Sequence, residues 1–122
     1  MKIAKTLVAV LLGLFLIAGA AGHFFSPEIS DEMIPELFPK GLVHIVVGIV
    51  ELVLGIGALI PRYRRAALRG ILLLMILFLP IHLYDAVLEQ PVIGSHTVAY
   101  VRIAVQFLLI FLAWWAQSGS ER

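Results

Sequence analysis

Twenty residues from Gly41 to Ile60 are apolar except for His44 and Glu51, and this run fixes most of what the chain can become. At a rise of ~1.5 Å per residue, one helix of that length spans the hydrocarbon of a bilayer. Glu51 then lies about 15 Å from either end, near the midplane, where a charge is most costly. Gly41, His44, Gly48, Glu51 and Gly55 recur at spacings of three and four and therefore share one helical face. That face is expected to look at protein, with the Val, Ile and Leu wall left to lipid.

Three more apolar runs accompany this one. In 122 residues, 61% hydrophobic content and 14% charged content lie outside the soluble globular range. The mean hydropathy of +1.04 says the same. The expected architecture is all-α: a single domain over 1–122, an antiparallel four-helix transmembrane bundle with helices about 3–23, 41–60, 66–88 and 98–116. A net charge of +1 speaks against nucleic acid as a partner. With no cysteine, the chain has no thiol chemistry, disulfide or thiolate metal ligand of its own.

The first apolar run follows Lys2 and Lys5 and ends in Ala18-Gly19-Ala20, a pattern shared by secretory signals. It is read here as a retained first helix; cleavage would leave three crossings. Phe24 to Pro39 interleaves Glu28, Asp31, Glu32 and Glu36 with Ile29, Met33, Ile34, Leu37 and Phe38, and suggests either a segment lying over the bundle mouth or a plain loop. Ser30 is a candidate cap for a short helical turn there. Pro61 ends the second helix, and Arg62, Arg64, Arg65 and Arg69 follow it. By the positive-inside rule, both termini and this arginine loop face the cytoplasm, across the plasma (inner) membrane from the acidic segment.

Pro80 within the third helix predicts a kink or a freed carbonyl about one turn before it, and freed backbone groups often line a cavity. His82, Asp85 and Glu89 share a face beyond it, before turn residues Pro91 and Gly94. Arg102 and Gln106 share a face of the fourth helix, whose other end carries Trp114 and Trp115 at an interface. Gly13, Gly19 and Gly22 permit close helix packing, either inside the monomer or in a homo-oligomer.

With the helices antiparallel, His23, His44, Glu51, His82, Asp85, Arg102 and Gln106 all fall in one half of the bundle. They are expected either to hold the helices in register or to line an outward-opening pocket. A metal is not expected, since no fixed ligand spacing is present. Glu51 and Arg102 are the deepest acid and base of that half, and a pair between them, direct or through Gln106, is the expected way to satisfy both.

These residues resemble the DoxX-like (MauE/DoxX, redox-associated) family of small four-helix membrane proteins, over nearly the whole chain. His23-Phe24, Pro27, Met33-Ile34-Pro35 and Pro39 are similar to that family's first loop. Gly48 with Glu51, and Pro61 with Arg64-Arg65-Ala66-Ala67, are similar to its second helix and loop; Pro80 and Arg102/Gln106 complete the pattern. Many members carry Pro-Ala-Asn where this chain has Pro80-Ile81-His82, so no role of that amide carries over. The resemblance implies a four-helix bundle and association with redox complexes, of which thiosulfate-to-quinone electron transfer is the best-known example; animal relatives look like receptor-assembly chaperones.

The function expected from all this is an accessory membrane protein, a binding protein rather than a catalyst, that holds a lipophilic ligand such as a quinone or lipid, or a partner subunit of a redox complex. The alternatives are a proton-coupled carrier or membrane enzyme using Glu51, and a chaperone-like scaffold without a pocket. An enclosed cavity favours the first two; a fully packed interior favours the scaffold.

Overall fold

In the computed structural model, residues 2–29, 31, 34, 37–88 and 95–119 are described. They form α1 (Lys2–Phe25), a 3-10 turn (Pro27–Ile29), α2 (Lys40–Leu59), α3 (Arg64–Val87) and α4 (His96–Gln117). All four helices are long and apolar enough to cross a membrane. Ser30, Glu89, Pro91 and Gly94, and with them the cap and turn expected there, lie outside the described residues.

Local chemistry sets the helix ends. Pro39 stands at the N-cap of α2, where a missing amide proton costs nothing. The hydroxyl of Ser95 caps α4 by accepting from the Val98 amide at 3.2 Å. α2 stops two residues before Pro61, and Arg64 then folds back so that its Nε donates to the Ala58 carbonyl at 2.7 Å and its Nη2 to the Leu59 carbonyl at 2.9 Å. Both carbonyls belong to the last turn of α2, which has no intrahelical donors left to offer them. The first basic residue of α3 therefore caps the helix before it.

The helices pack in ring order, α1 against α2, α2 against α3, α3 against α4 and α4 back against α1. The tightest approach is between α1 and α2. A Cβ built on Gly13 would stand 2.7 Å from the Gly55 carbonyl oxygen, and one on Gly55 would stand 2.7 Å from that of Gly13. Only a pair of glycines allows the two backbones to touch here. A Cβ on Gly22, by contrast, would meet nothing within 4 Å. On α2 the buried face holds His44, Gly48, Glu51, Gly55 and Ala58. Gly41, expected on that face, is exposed, because α2 has only just begun there and no neighbour reaches it.

Toward the arginine turn the interior is purely apolar, with Ala9, Leu12, Ala58, Leu68, Ile71 and Ala113 at its centre. Toward the other end the buried residues become polar: His44, Glu51, His82, Asp85 and Gln106. Most Leu, Ile, Val and Phe side chains outside these two zones are exposed on the perimeter, as Leu7, Val53, Leu77 and Phe107 are. α3 runs unbroken through Pro80.

Candidate functional site

Where the interior becomes polar, the helices part around a cavity of about 460 Å³. Its wall is mostly apolar, from Phe15 and Leu16 of α1, Val43 and Val47 of α2, Phe78 and Ile81 of α3 and Val105 and Leu109 of α4. Five polar side chains interrupt that wall: His23, Glu51, His82, Arg102 and Gln106. Ile34, from the segment between α1 and α2, also lines the cavity, so part of that segment lies over the mouth of the bundle.

Glu51 is 7% exposed and its Oε1 has no hydrogen-bond partner. The carboxylate is packed against α1 at Gly19, where an added Cβ would stand 2.7 Å from Oε1. One turn earlier on α2, Gly48 receives the Phe24 ring in the same way, at 2.7 Å from an imagined Cβ. Two glycines, one on each helix, thus admit a carboxylate and an aromatic ring into the α1–α2 contact. An acceptor buried without a donor costs on the order of 1–3 kcal/mol, so this corner of the cavity is left wanting a polar partner.

The expected bridge from Glu51 through Gln106 to Arg102 is not formed. The Gln106 amide donates instead to the Met75 carbonyl at 2.6 Å, with the Met75 sulfur at 3.7 Å. The carbonyl that Pro80 deprives of a donor is that of Ile76, four residues before it, so Gln106 holds the carbonyl next to the freed one. A fully buried side-chain amide from α4 is thereby fixed to the α3 backbone. Arg102 is exposed at the open side of the cavity, and among the described residues no hydrogen bond or ion pair joins it to Glu51. Height along a helix had suggested the pair, but height does not fix which way the side chain turns.

His82 is 6% exposed, on the inner face of α3, and its Nδ1 has no partner. The charges of Arg102 and Asp85 both act on its ring. Asp85 is buried one turn further along α3 and is not part of the cavity wall.

A relay of polar contacts closes the site on the α1–α2 side. His23 Nδ1 lies 2.8 Å from His44 Nδ1, and His44 Nε2 lies 2.6 Å from Asp31 Oδ1. The two rings are tilted by 47° with centroids 5.1 Å apart. An ionised Asp31 only accepts, so His44 donates to it from Nε2; a neutral His44 must then accept at Nδ1 from His23. That assignment leaves the Nε2 of His23 as a free acceptor. His44 itself is buried behind His23 and does not reach the cavity.

Of the seven polar residues singled out in the sequence, five therefore line one cavity, His44 supports one of them, and Asp85, one turn beyond His82, is buried outside its wall. The residue that sequence reasoning missed is Asp31. It lies among three other acids in a segment without periodicity, and nothing in its spacing points to His44. The spacing of Gly19 points to close helix packing but not to its use as the backing of a carboxylate. Among the described residues no group of three or more His, Asp or Glu side chains converges as metal ligands would.

No curated protein and no solved structure matches this chain. One family model does, described as a domain of unknown function, and it covers residues 12–117, from the middle of α1 to the last residue of α4. Every cavity-lining residue lies within that range. The chain belongs to the DUF8561 family, a domain of unknown function.

Proposed function

We propose that this protein is a multi-pass protein of the plasma membrane that holds a lipophilic small molecule in the 460 Å³ cavity, and that a quinone is the ligand class the cavity suits best. The observation that carries the reading is an apolar chamber with two unsatisfied polar atoms, Glu51 Oε1 and His82 Nδ1, on side chains that line it. Ligand sites are typically apolar pockets of about 300–1,000 Å³ with a few convergent polar groups. A quinone ring with a short length of tail matches the wall, and its carbonyl oxygens accept from Arg102 or from the His82 ring. The hydroxyls of the reduced form donate to Glu51 and to the free Nε2 of His23.

Orientation is part of this proposal. Lys2, Lys5 and the arginines of the α2–α3 turn gather at one end and face the cytoplasm, and the cavity then opens toward the outer surface. So is kinship with the DoxX-like proteins, which would make the chain an accessory to a redox complex. The cavity favours a binding role over that of a scaffold with a packed interior.

Titration of a short-tailed quinone against the protein in nanodiscs tests the reading. Saturable binding is expected, weakened about tenfold by His82→Ala through loss of one polar contact of roughly 1–1.5 kcal/mol. Binding to wild type and to a cavity-filling Val47→Phe variant with equal affinity would rule the cavity out.

One observation favours the second reading, a proton-coupled carrier or enzyme. The bonds from His23 through His44 to Asp31 form a path along which a proton taken up at His23 Nε2 is relayed by two successive transfers to Asp31. Proteoliposomes enclosing a pH-reporting dye, supplied with a quinol and an added electron acceptor such as ferricyanide, test it: a pH change that needs both reagents and that Asp31→Asn abolishes supports the relay, and an unchanged signal in that variant rejects it.

A further inference from the structure

A second cavity, of about 630 Å³, lies at the opposite end of the bundle, between the start of α1, the α2–α3 turn and the end of α4. Lys2, Lys5, Arg62, Arg64 and Arg65 line it, and among the described residues no carboxylate does. Glu121 lies outside those residues. The N-termini of α1 and α3 point to the same end, and neither has an acidic residue in its first turn. The C-termini of α2 and α4 meet at this end too, so the four helix dipoles offset one another and the charge of the cavity is that of its five basic side chains.

Neutral acceptors occupy some of these groups without cancelling their charge. Arg64 is committed to the carbonyls of Ala58 and Leu59. Lys5 donates to the Ser118 carbonyl at 3.1 Å and to its hydroxyl at 3.3 Å, with the Trp115 ring centroid 5.5 Å away. Arg65 is tied through Nη2 to the Gly119 carbonyl, while its Nε is a buried donor with no acceptor. Lys2 and Arg62 make no hydrogen bond among the described residues, and Arg62 rests over the Tyr63 ring at 5.6 Å. The positive-inside rule accounts for basic residues at this end, yet it asks only that they meet water. It does not call for a walled cavity or an orphaned N–H.

We infer that this cavity binds a phosphate group, as monoester or diester, between Lys2, Arg62 and Arg65. A tetrahedral oxyanion supplies the acceptors that the guanidinium forks and the Arg65 Nε lack, and it offsets the accumulated charge. The same chemistry is offered by a phospholipid headgroup and by a soluble phosphate. The inference does not depend on what the other cavity holds; its lipid form rests on the proposed membrane orientation.

The test uses the full-length protein in detergent. In the lipid arm, native mass spectrometry compares retention of phosphatidylglycerol with that of a diacylglycerol of the same acyl chains, which lacks the phosphate; in the soluble arm, inorganic phosphate and pyrophosphate are tested for raising the midpoint of thermal unfolding. Preferential retention of phosphatidylglycerol identifies the headgroup, and stabilisation by the inorganic ions alone identifies a soluble source. Lys2→Gln and Arg62→Gln are each expected to weaken the response about fivefold, the effect of one basic residue near an anionic headgroup. Arg69→Gln removes the same charge from an exposed residue outside the cavity, bonded to Gln117 at 3.1 Å, and is expected to change the response less than about twofold by screening. Equal retention of both lipids together with no stabilisation by either ion overturns the inference. So does an Arg69→Gln loss as large as that of Arg62→Gln, which would mark a general basic surface.

Discussion

At the scale of single residues, the α1–α2 contact is decided by glycines whose roles differ sharply. Gly13 and Gly55 leave no room for a methyl group between two backbones, whereas Gly22 faces open space. Gly13→Ala is therefore expected to destabilise the bundle by about 1–3 kcal/mol through overpacking. Gly22→Ala should be neutral or stabilising by up to about 1 kcal/mol, because alanine is the better helix former. Unfolding in mixed micelles, followed by circular dichroism, measures both. Glu51 and Arg102 are the second case. Since they share no bond, Glu51→Gln and Arg102→Gln should be additive to within about 0.5 kcal/mol in a double-mutant cycle. A coupling of several kcal/mol would instead restore the ion pair that depth alone suggests.

The helices themselves were the most legible part of the chain, and the reason is physical. Apolar runs of about twenty residues admit few alternatives, and Pro61 ends one of them by a rule that acts within a turn. The Ser95 cap, which starts α4 at His96 rather than at about 98, lies beyond what hydropathy marks. Periodicity also put His44, Gly48, Glu51 and Gly55 on the buried face of α2. It failed for Gly41 because a helix start has no neighbour to bury it, and for Gln106 because its partner is a backbone carbonyl, which every residue carries and no sequence pattern marks. The His44–Asp31 contact was hidden for a related reason, since it joins a helix to an aperiodic segment. The cap that Arg64 places on α2 is a testable consequence at this scale. Arg64→Gln should cost about 1.5–3 kcal/mol, the value of charge-assisted hydrogen bonds to otherwise unpaired carbonyls. Arg62→Gln, which breaks no such bond, should stay within about 0.5 kcal/mol of wild type.

Considered whole, the molecule is asymmetric from end to end, with a basic cavity where α1 begins and an apolar cavity with polar teeth where it finishes. The proposed orientation follows from that asymmetry. Because the chain has no cysteine, Leu37→Cys and Arg62→Cys each supply a single reactive thiol. A membrane-impermeant maleimide added to intact cells should label the first, at an 87% exposed position, and reach the second only after lysis. The opposite pattern would invert the topology. The central claim is occupancy of the 460 Å³ cavity, and native mass spectrometry of protein released gently from its own membranes tests it most directly. The account predicts a bound lipophile on wild type, with the mass of a quinone or similar small molecule, that is lost from Val47→Phe; a wild-type protein that carries nothing, or a Val47→Phe variant that keeps the same adduct, contradicts it.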